Sequence, residues 1–229
     1  MRMLLLSSSN VHGSGYLDHA VGELRRLGLK RVAFVPFALA DRPAYTARVR
    51  ERLSGIGIDV VEVTSSADLD GADGVFVGGG NTFRLLATLS ATDLLDAIRT
   101  GVRDERLSYI GSSAGTNIAA PTIRTTNDMP IVQPRSFQAL GLVPFQINPH
   151  YLDADPLSTH KGETREERLL QYLEENATPV IGLREPGMLR IEGGRTTLVG
   201  PTSARWFSRG AEPRELEPGT VIEEVLAER

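Results

Sequence analysis

Short apolar runs alternate with amphipathic stretches through the first half of the chain. Residues 3–7, 31–36, 58–63, 74–77 and 108–111 are short, mostly apolar runs, too short for helices, which suits strands buried on both faces. Between them, 17–27, 44–53 and 94–102 carry apolar residues at helical spacing with charges in between. This rhythm predicts an α/β fold: right-handed crossovers and a parallel sheet with helices on both sides.

After Gly115 the pattern loosens. Pro121, Pro130, Pro134, Pro144, Pro149 and Pro156 punctuate a loop-rich region that is broken by a strand at 145–148. A helix follows, with Thr164 as N-cap, Glu167 three residues on in a capping-box pattern, and Leu169, Leu170 and Leu173 on one face. Residues 180–183, 188–191, 196–199, 204–207 and 220–224 read as short strands between Gly or Pro turns. With no repeat, low-complexity tract or linker, residues 1–229 are expected to form one domain. A connection as long as 116–165 inside a domain is usually functional.

Composition narrows the chemistry. The 229 residues are 41% hydrophobic and 24% charged, an ordinary globular balance. A net charge of -4 has the wrong sign for a nucleic-acid partner. The N-terminal apolar run is too short for an export signal, and no stretch reaches the roughly 20 apolar residues of a membrane span, so a cytoplasmic location away from membranes is expected. The absence of cysteine (Cys 0) removes disulfides, thiolate metal sites and any thiol nucleophile. Covalent chemistry here would fall to an oxygen or nitrogen nucleophile.

One segment offers that oxygen. Strand 108–111 runs into Gly111-x-Ser113-x-Gly115, a nucleophile-elbow pattern in which the serine stands at the tip of a strand-to-helix turn and the amide of Ala114 can face an oxyanion. A second segment, Val77-Gly-Gly-Gly-Asn-Thr82, presents bare backbone at a strand end. It lacks the spacing of a dinucleotide fold and the lysine of a phosphate loop, so its better use is a second oxyanion amide from Gly79 or Gly80.

For the base, His12 sits in a turn with no evident partner, and His19 reads as a solvated residue of the first helix. His150 ends strand 145–148, where parallel-sheet proteins place their sites, and is preferred; His160, in a polar loop, comes second. The carboxylate that would orient the imidazole is either Asp128, giving the order Ser, acid, His, or Glu185, at another strand end. Spacing alone does not choose between them.

Taken together, Gly111-Ser-Ser-Ala-Gly115, Val77-Gly-Gly-Gly-Asn-Thr82, Pro121-Thr-Ile-Arg-Thr-Thr-Asn-Asp-Met-Pro-Ile-Val132, Gln146-Ile-Asn-Pro-His150 and His160-Lys-Gly-Glu-Thr-Arg165 resemble the peptidase E, or α-aspartyl dipeptidase, family of serine peptidases. The likeness runs from the first strand to the last. It implies a three-layer α/β/α sandwich with a mostly parallel sheet, like class I glutamine amidotransferases, with serine in place of their cysteine. It also implies hydrolysis of dipeptides with an N-terminal L-aspartate, with no cofactor and no metal.

The family triad carries over as Ser113, His150 and Glu185, with oxyanion amides from Ala114 and from Gly79, Gly80 or Asn81. Two positions depart from the family: Arg184 stands where proline commonly precedes the acid, and Ser112 where tryptophan is typical. The substrate carboxylate calls for an arginine fork. Arg165, at a helix start, is favoured over Arg124, and Asp128 is expected to shape the pocket if it does not orient the histidine. The expected partner is a small peptide, and the expected assembly a monomer or small homo-oligomer. Two alternatives remain: a cyanophycinase-like hydrolase of aspartyl peptides, and a non-catalytic relative that binds a ligand through the Gly-rich loop.

Overall fold

Alternation along the first strand sets up two cores. In β1 (Met3–Leu6), Met3 and Leu5 enter one apolar cluster while Leu4 and Leu6 enter another on the opposite face, the period-two geometry of a strand buried on both sides. The computed structural model describes residues 1–157, 159 and 161–228.

The remaining strands are β2 (Arg31–Val35), β3 (Asp59–Glu62), β4 (Gly74–Val77), β5 (Ser108–Ser112), β6 (Gln146–Pro149), β7 (Val180–Leu183), β8 (Met188–Glu192), β9 (Arg195–Val199), β10 (Ala204–Phe207) and β11 (Arg214–Leu216). The helices are α1 (Val21–Arg26), α2 (Arg42–Ser54), α3 (Thr82–Ser90), α4 (Leu94–Arg103), the single turn α5 (Ala114–Asn117), α6 (Arg165–Glu175) and α7 (Ile222–Ala227). None of the described helices is long and apolar enough to cross a membrane.

A seven-stranded sheet has the order β3-β2-β4-β5-β1-β8-β9. Its first five strands are parallel and its last two antiparallel. Leu24 of α1 and Val49 and Leu53 of α2 pack on one face; Leu85, Leu89, Ile98 and Val102 of α3 and α4 pack on the other. This is the layered α/β arrangement expected.

The later strands depart from a single sheet. A separate four-stranded sheet, β11-β10-β7-β6, holds β6 and β7 as a parallel pair with β10 and β11 antiparallel beyond them. α6 covers it through Leu169 and Leu173, which meet Tyr151, Val180 and Phe207.

Residues 220–224 are not a strand. Apart from one isolated bridge, Thr197 to Val221, this segment leads into α7, where Ile222 and Val225 are buried three residues apart and Glu223 and Glu224 favour the positive helix start. α3 and β11 had no counterpart in the sequence reading. The mark of α3 was Asn81, whose side chain caps it by accepting from the Arg84 amide.

Two glycines of the elbow are fixed by crowding. A Cβ on Gly115 would stand 2.0 Å from the Val77 carbonyl oxygen, and one on Gly111 would stand 2.7 Å from that of Gly115. Gly115→Ala is therefore expected to lower Tm by several degrees, since overpacking costs about 1–3 kcal/mol and each kcal/mol is worth about 2–4 °C in a chain of this size. Thermal unfolding by circular dichroism checks this, and an unchanged Tm counts against the close approach.

Candidate active site

The tip of the elbow is strained at the serine itself. Ser113 has φ 52° and ψ -109°, while its amide donates to the Leu6 carbonyl at 3.1 Å and its carbonyl accepts from the Asn117 amide at 2.8 Å. Beneath it, the buried Tyr109 hydroxyl donates to the Gly115 carbonyl at 2.6 Å. Ser112, in the position where the resembling family carries tryptophan, is wholly buried in β5.

The parallel pairing of β6 with β7 matches Pro149 with Leu183, so the residues just past each strand end become neighbours. There the Nδ1 atom of His150 contacts a carboxylate oxygen of Glu185, and Nε2 lies 2.7 Å from Ser113 Oγ. Ser113, His150 and Glu185 thus form one hydrogen-bonded line. His150, like Ser113, has positive φ, at 54°.

Asp128 does not meet the imidazole Nδ1. It accepts from the Thr82 amide at 2.7 Å and from the Thr126 hydroxyl at 3.2 Å, at the start of α3. His19 is not a solvated side chain either: both ring nitrogens are shut off from water, and burial pushes its pKa down. His12 is exposed, and His160 lies outside the described residues.

The glycine loop is more selective than its sequence suggests. The Gly79 amide already donates to the Tyr45 hydroxyl at 2.8 Å, and the Asn81 amide to the Ala38 carbonyl at 2.9 Å. The Asn81 side chain is used as well, capping α3 and donating to the Met129 carbonyl at 2.9 Å. The amides of Gly80 and Ala114 have no acceptor among the described residues. At Gly80, φ is 135° and a Cβ would stand 2.6 Å from the Ala38 carbonyl oxygen, so only glycine fits.

Two clefts meet at Ser113 and His150. One, of about 260 Å³, is lined by Tyr16, Tyr45, Arg48 and the loop glycines Gly79 and Gly80. On the other side lies a space of about 20 Å³ beside Asn117, Thr126 and Asp128. Thr126 and Asp128 also border a larger hollow of about 430 Å³ that holds Arg124 and Arg168. Arg124 lies over the Phe137 ring, 5.4 Å from its centroid. Arg165 lines neither space. It is half-buried at the start of α6 without an ion pair among the described residues, its pKa lowered by burial and by Arg168 and pulled the other way by Asp128. Arg168, not singled out in the sequence, borders the hollow from α6 and lies 3.6 Å from Glu163.

The departure at Arg184 has its own logic. Its guanidinium takes Asp153 in two 2.7 Å hydrogen bonds, pairs with Glu215 and lies over Tyr151, which ties the segment after His150 to the residue before Glu185. Those bonds hold the Asp153 carboxyl below its usual range.

The sequence model of peptidase family S51 matches residues 3–199. The chain belongs to peptidase family S51. It is 59% identical to a peptidase E of Streptomyces coelicolor over 99% of this chain and 95% of that one. It is 49% identical to a probable alpha-aspartyl dipeptidase of Drosophila melanogaster over 94% and 93%. In fold it is similar to a putative peptidase E protein from Listeria monocytogenes EGD-e, with TM-score 0.64, 24% identity, and 86% and 96% of the two chains covered. It is likewise similar to a peptidase from an acI-B1 actinobacterium, with TM-score 0.67, 18% identity, and 96% and 95% covered. As an S51 member the chain is a serine peptidase.

One buried hydroxyl braces this site. Ser7 Oγ accepts from the His150 amide at 2.9 Å and donates to the Leu183 carbonyl at 2.7 Å. Ser7→Ala strands the His150 amide, at about 1–3 kcal/mol, while the Leu183 carbonyl keeps the Tyr151 amide at 3.2 Å. The expected outcome is a Tm lower by several degrees and faster hydrogen exchange at the His150 amide. Unchanged protection at that amide would count against the brace.

Proposed function

We propose that this S51 peptidase is a dipeptidase that releases N-terminal L-aspartate, with Ser113, His150 and Glu185 as its triad. The observation that carries the reading is the unbroken line from Glu185 through His150 to Ser113 at a strained elbow. The relatives named peptidase E and probable alpha-aspartyl dipeptidase supply the substrate class.

On this reading Ser113 Oγ attacks the carbonyl carbon of the aspartyl residue as Nε2 of His150 takes its proton. Glu185 accepts from Nδ1–H and stabilises the imidazolium. The amides of Gly80 and Ala114 hold the oxyanion, since those of Gly79 and Asn81 are engaged. His150 then protonates the departing amine, and a water activated by the same nitrogen frees aspartate from the acyl-enzyme. Asp128, with the buried Asn117 Oδ1 that has no donor among the described residues, accepts the substrate ammonium. Arg165 reads the side-chain carboxylate: a half-buried guanidinium without an ion pair is costly until an anion arrives. The substrate is a free peptide met in the cytoplasm, by a monomer or small homo-oligomer.

Ser113→Ala and Glu185→Gln are expected to cut Asp-Leu turnover by orders of magnitude, roughly 10⁴ to 10⁶ for the serine, with the fold kept. Asp128→Asn is expected to raise KM more than it lowers kcat. Liquid chromatography of the products checks these outcomes; Ser113→Ala within tenfold of the parent, or a larger kcat loss in Asp128→Asn than in Glu185→Gln, would reverse the assignment.

Discrimination between Asp-Leu and Asn-Leu reports the carboxylate reader. Arg165→Met is expected to erase most of it, because a charge-assisted contact contributes about 1.5–3 kcal/mol, while Arg124→Met leaves it largely intact. The kcat/KM ratios for both dipeptides decide this, and retained discrimination in Arg165→Met moves the role to Arg124.

A further inference from the structure

The cleft on the glycine-loop side differs in chemistry from the space beside Asp128. It touches Ser113 and His150, holds Arg48 as its one arginine or lysine, and has no carboxylate in its lining. Besides Ser113, the hydroxyl-bearing residues Ser8, Ser9, Tyr16 and Tyr45 share its lining. At about 260 Å³ it falls below the roughly 300–1,000 Å³ of clefts that bury drug-sized ligands, a size suited to one amino-acid residue.

Arg48 is an exposed residue of α2 whose guanidinium lies over the Tyr16 ring, 5.7 Å from its centroid, with no ion pair among the described residues. Many other arginines of the chain are committed: Arg52 to Asp18, Arg184 to Asp153 and Glu215, Arg190 to Glu23, Arg205 to Glu166. Burial raises the pKa of the Tyr16 and Tyr45 phenols, and the field of Arg48 opposes it at both.

A dipeptide has two charged ends and, with aspartate first, a charged side chain. The space beside Asp128 offers an acceptor for the ammonium and, around it, arginines for the side chain. The remaining charge is the free carboxylate of the departing residue, and that residue must lie next to His150, which returns its proton. We propose that the cleft lined by Tyr16, Tyr45 and Arg48 is the subsite of the departing residue, and that Arg48 binds its terminal carboxylate and so restricts the enzyme to dipeptides. This inference rests on the aspartyl-dipeptidase reading and adds to it the device that measures substrate length. Arg48 touches no reacting atom; it is a specificity residue.

The test compares Asp-Leu with its amide, Asp-Leu-NH₂, which lacks the terminal charge and keeps everything else. A charge-assisted contact corresponds to about 10- to 100-fold in kcat/KM, so the parent is expected to favour the free acid by that factor. Arg48→Met is expected to lower kcat/KM for Asp-Leu by the same factor, mainly through KM, and to leave Asp-Leu-NH₂ within about twofold. The retained amide turnover shows the variant to be folded, and Arg48→Lys is expected to restore part of the preference. Equal rates on acid and amide in the parent, or an undiminished preference in Arg48→Met, overturn the subsite while leaving the catalytic reading in place. No hydrolysis of either compound by the parent would remove both.

Discussion

The hydroxyl of Ser7 is the joint on which the site depends. It lies just past β1, an interior strand of the larger sheet, fully buried, where the end of that strand meets the ends of β6 and β7 of the other sheet. The chain approaches this point from three directions. Leu6 takes the Ser113 amide and the Thr116 hydroxyl through its carbonyl; Ser7 Oγ takes the His150 amide; the same Oγ gives its proton to Leu183, two residues before Glu185. A neutral hydroxyl suits the role because it donates once and accepts once in a space where a charge would be costly and an apolar group would leave the His150 amide unpaired.

The irregular stretch after α5 is held by a different device. β6 is an edge strand, and an edge leaves carbonyls that need donors. The Ile147 carbonyl takes the Asn117 amide group and the Thr125 hydroxyl, each at 2.8 Å, and the Pro149 carbonyl takes the Asn127 amide group at 2.7 Å. Asn148 reaches back to the Thr125 carbonyl and to Asn127. The Thr, Asn and Asp residues between 122 and 128 therefore act as rungs that replace a missing strand, and Asp128 ends up at the start of α3 lining the space beside Ser113. Order in a segment rich in proline comes here from side chains bonding to main chain.

This division explains what was legible in the sequence. The buried strands, the elbow and His150 at a strand end could be read because each is set by local pattern: apolar runs, small residues around a serine, a motif's place at the end of a strand. The choice between Glu185 and Asp128 could not, since it depends on β6 and β7 pairing in parallel across thirty residues of intervening chain, in a sheet the pattern did not separate from the first. The glycines announced bare backbone but not which amide was free; Tyr45, the acceptor for Gly79, lies 34 residues away in sequence. His19 was misjudged because Leu17, with φ 58°, turns the chain before the helix begins, so helical spacing does not place the histidine. Residues 220–224 are too few to separate a period of two from one of 3.6.

Ser113 and His150, joined by a 2.7 Å contact, both stand on backbone of positive φ. Such conformations cost about 1–3 kcal/mol each in non-glycine residues and persist only where their surroundings fix them. Here the fixing groups are those just described: the Leu6 carbonyl and the Asn117 amide on either side of Ser113, and Ser7 on His150. The strain lifts each side chain above its strand end, and hydrogen bonds from the Leu6–Ser7 segment and from Asn117 keep them there. The alignment of serine with histidine is thus a property of the junction between the two sheets, and residues that never meet a substrate hold it.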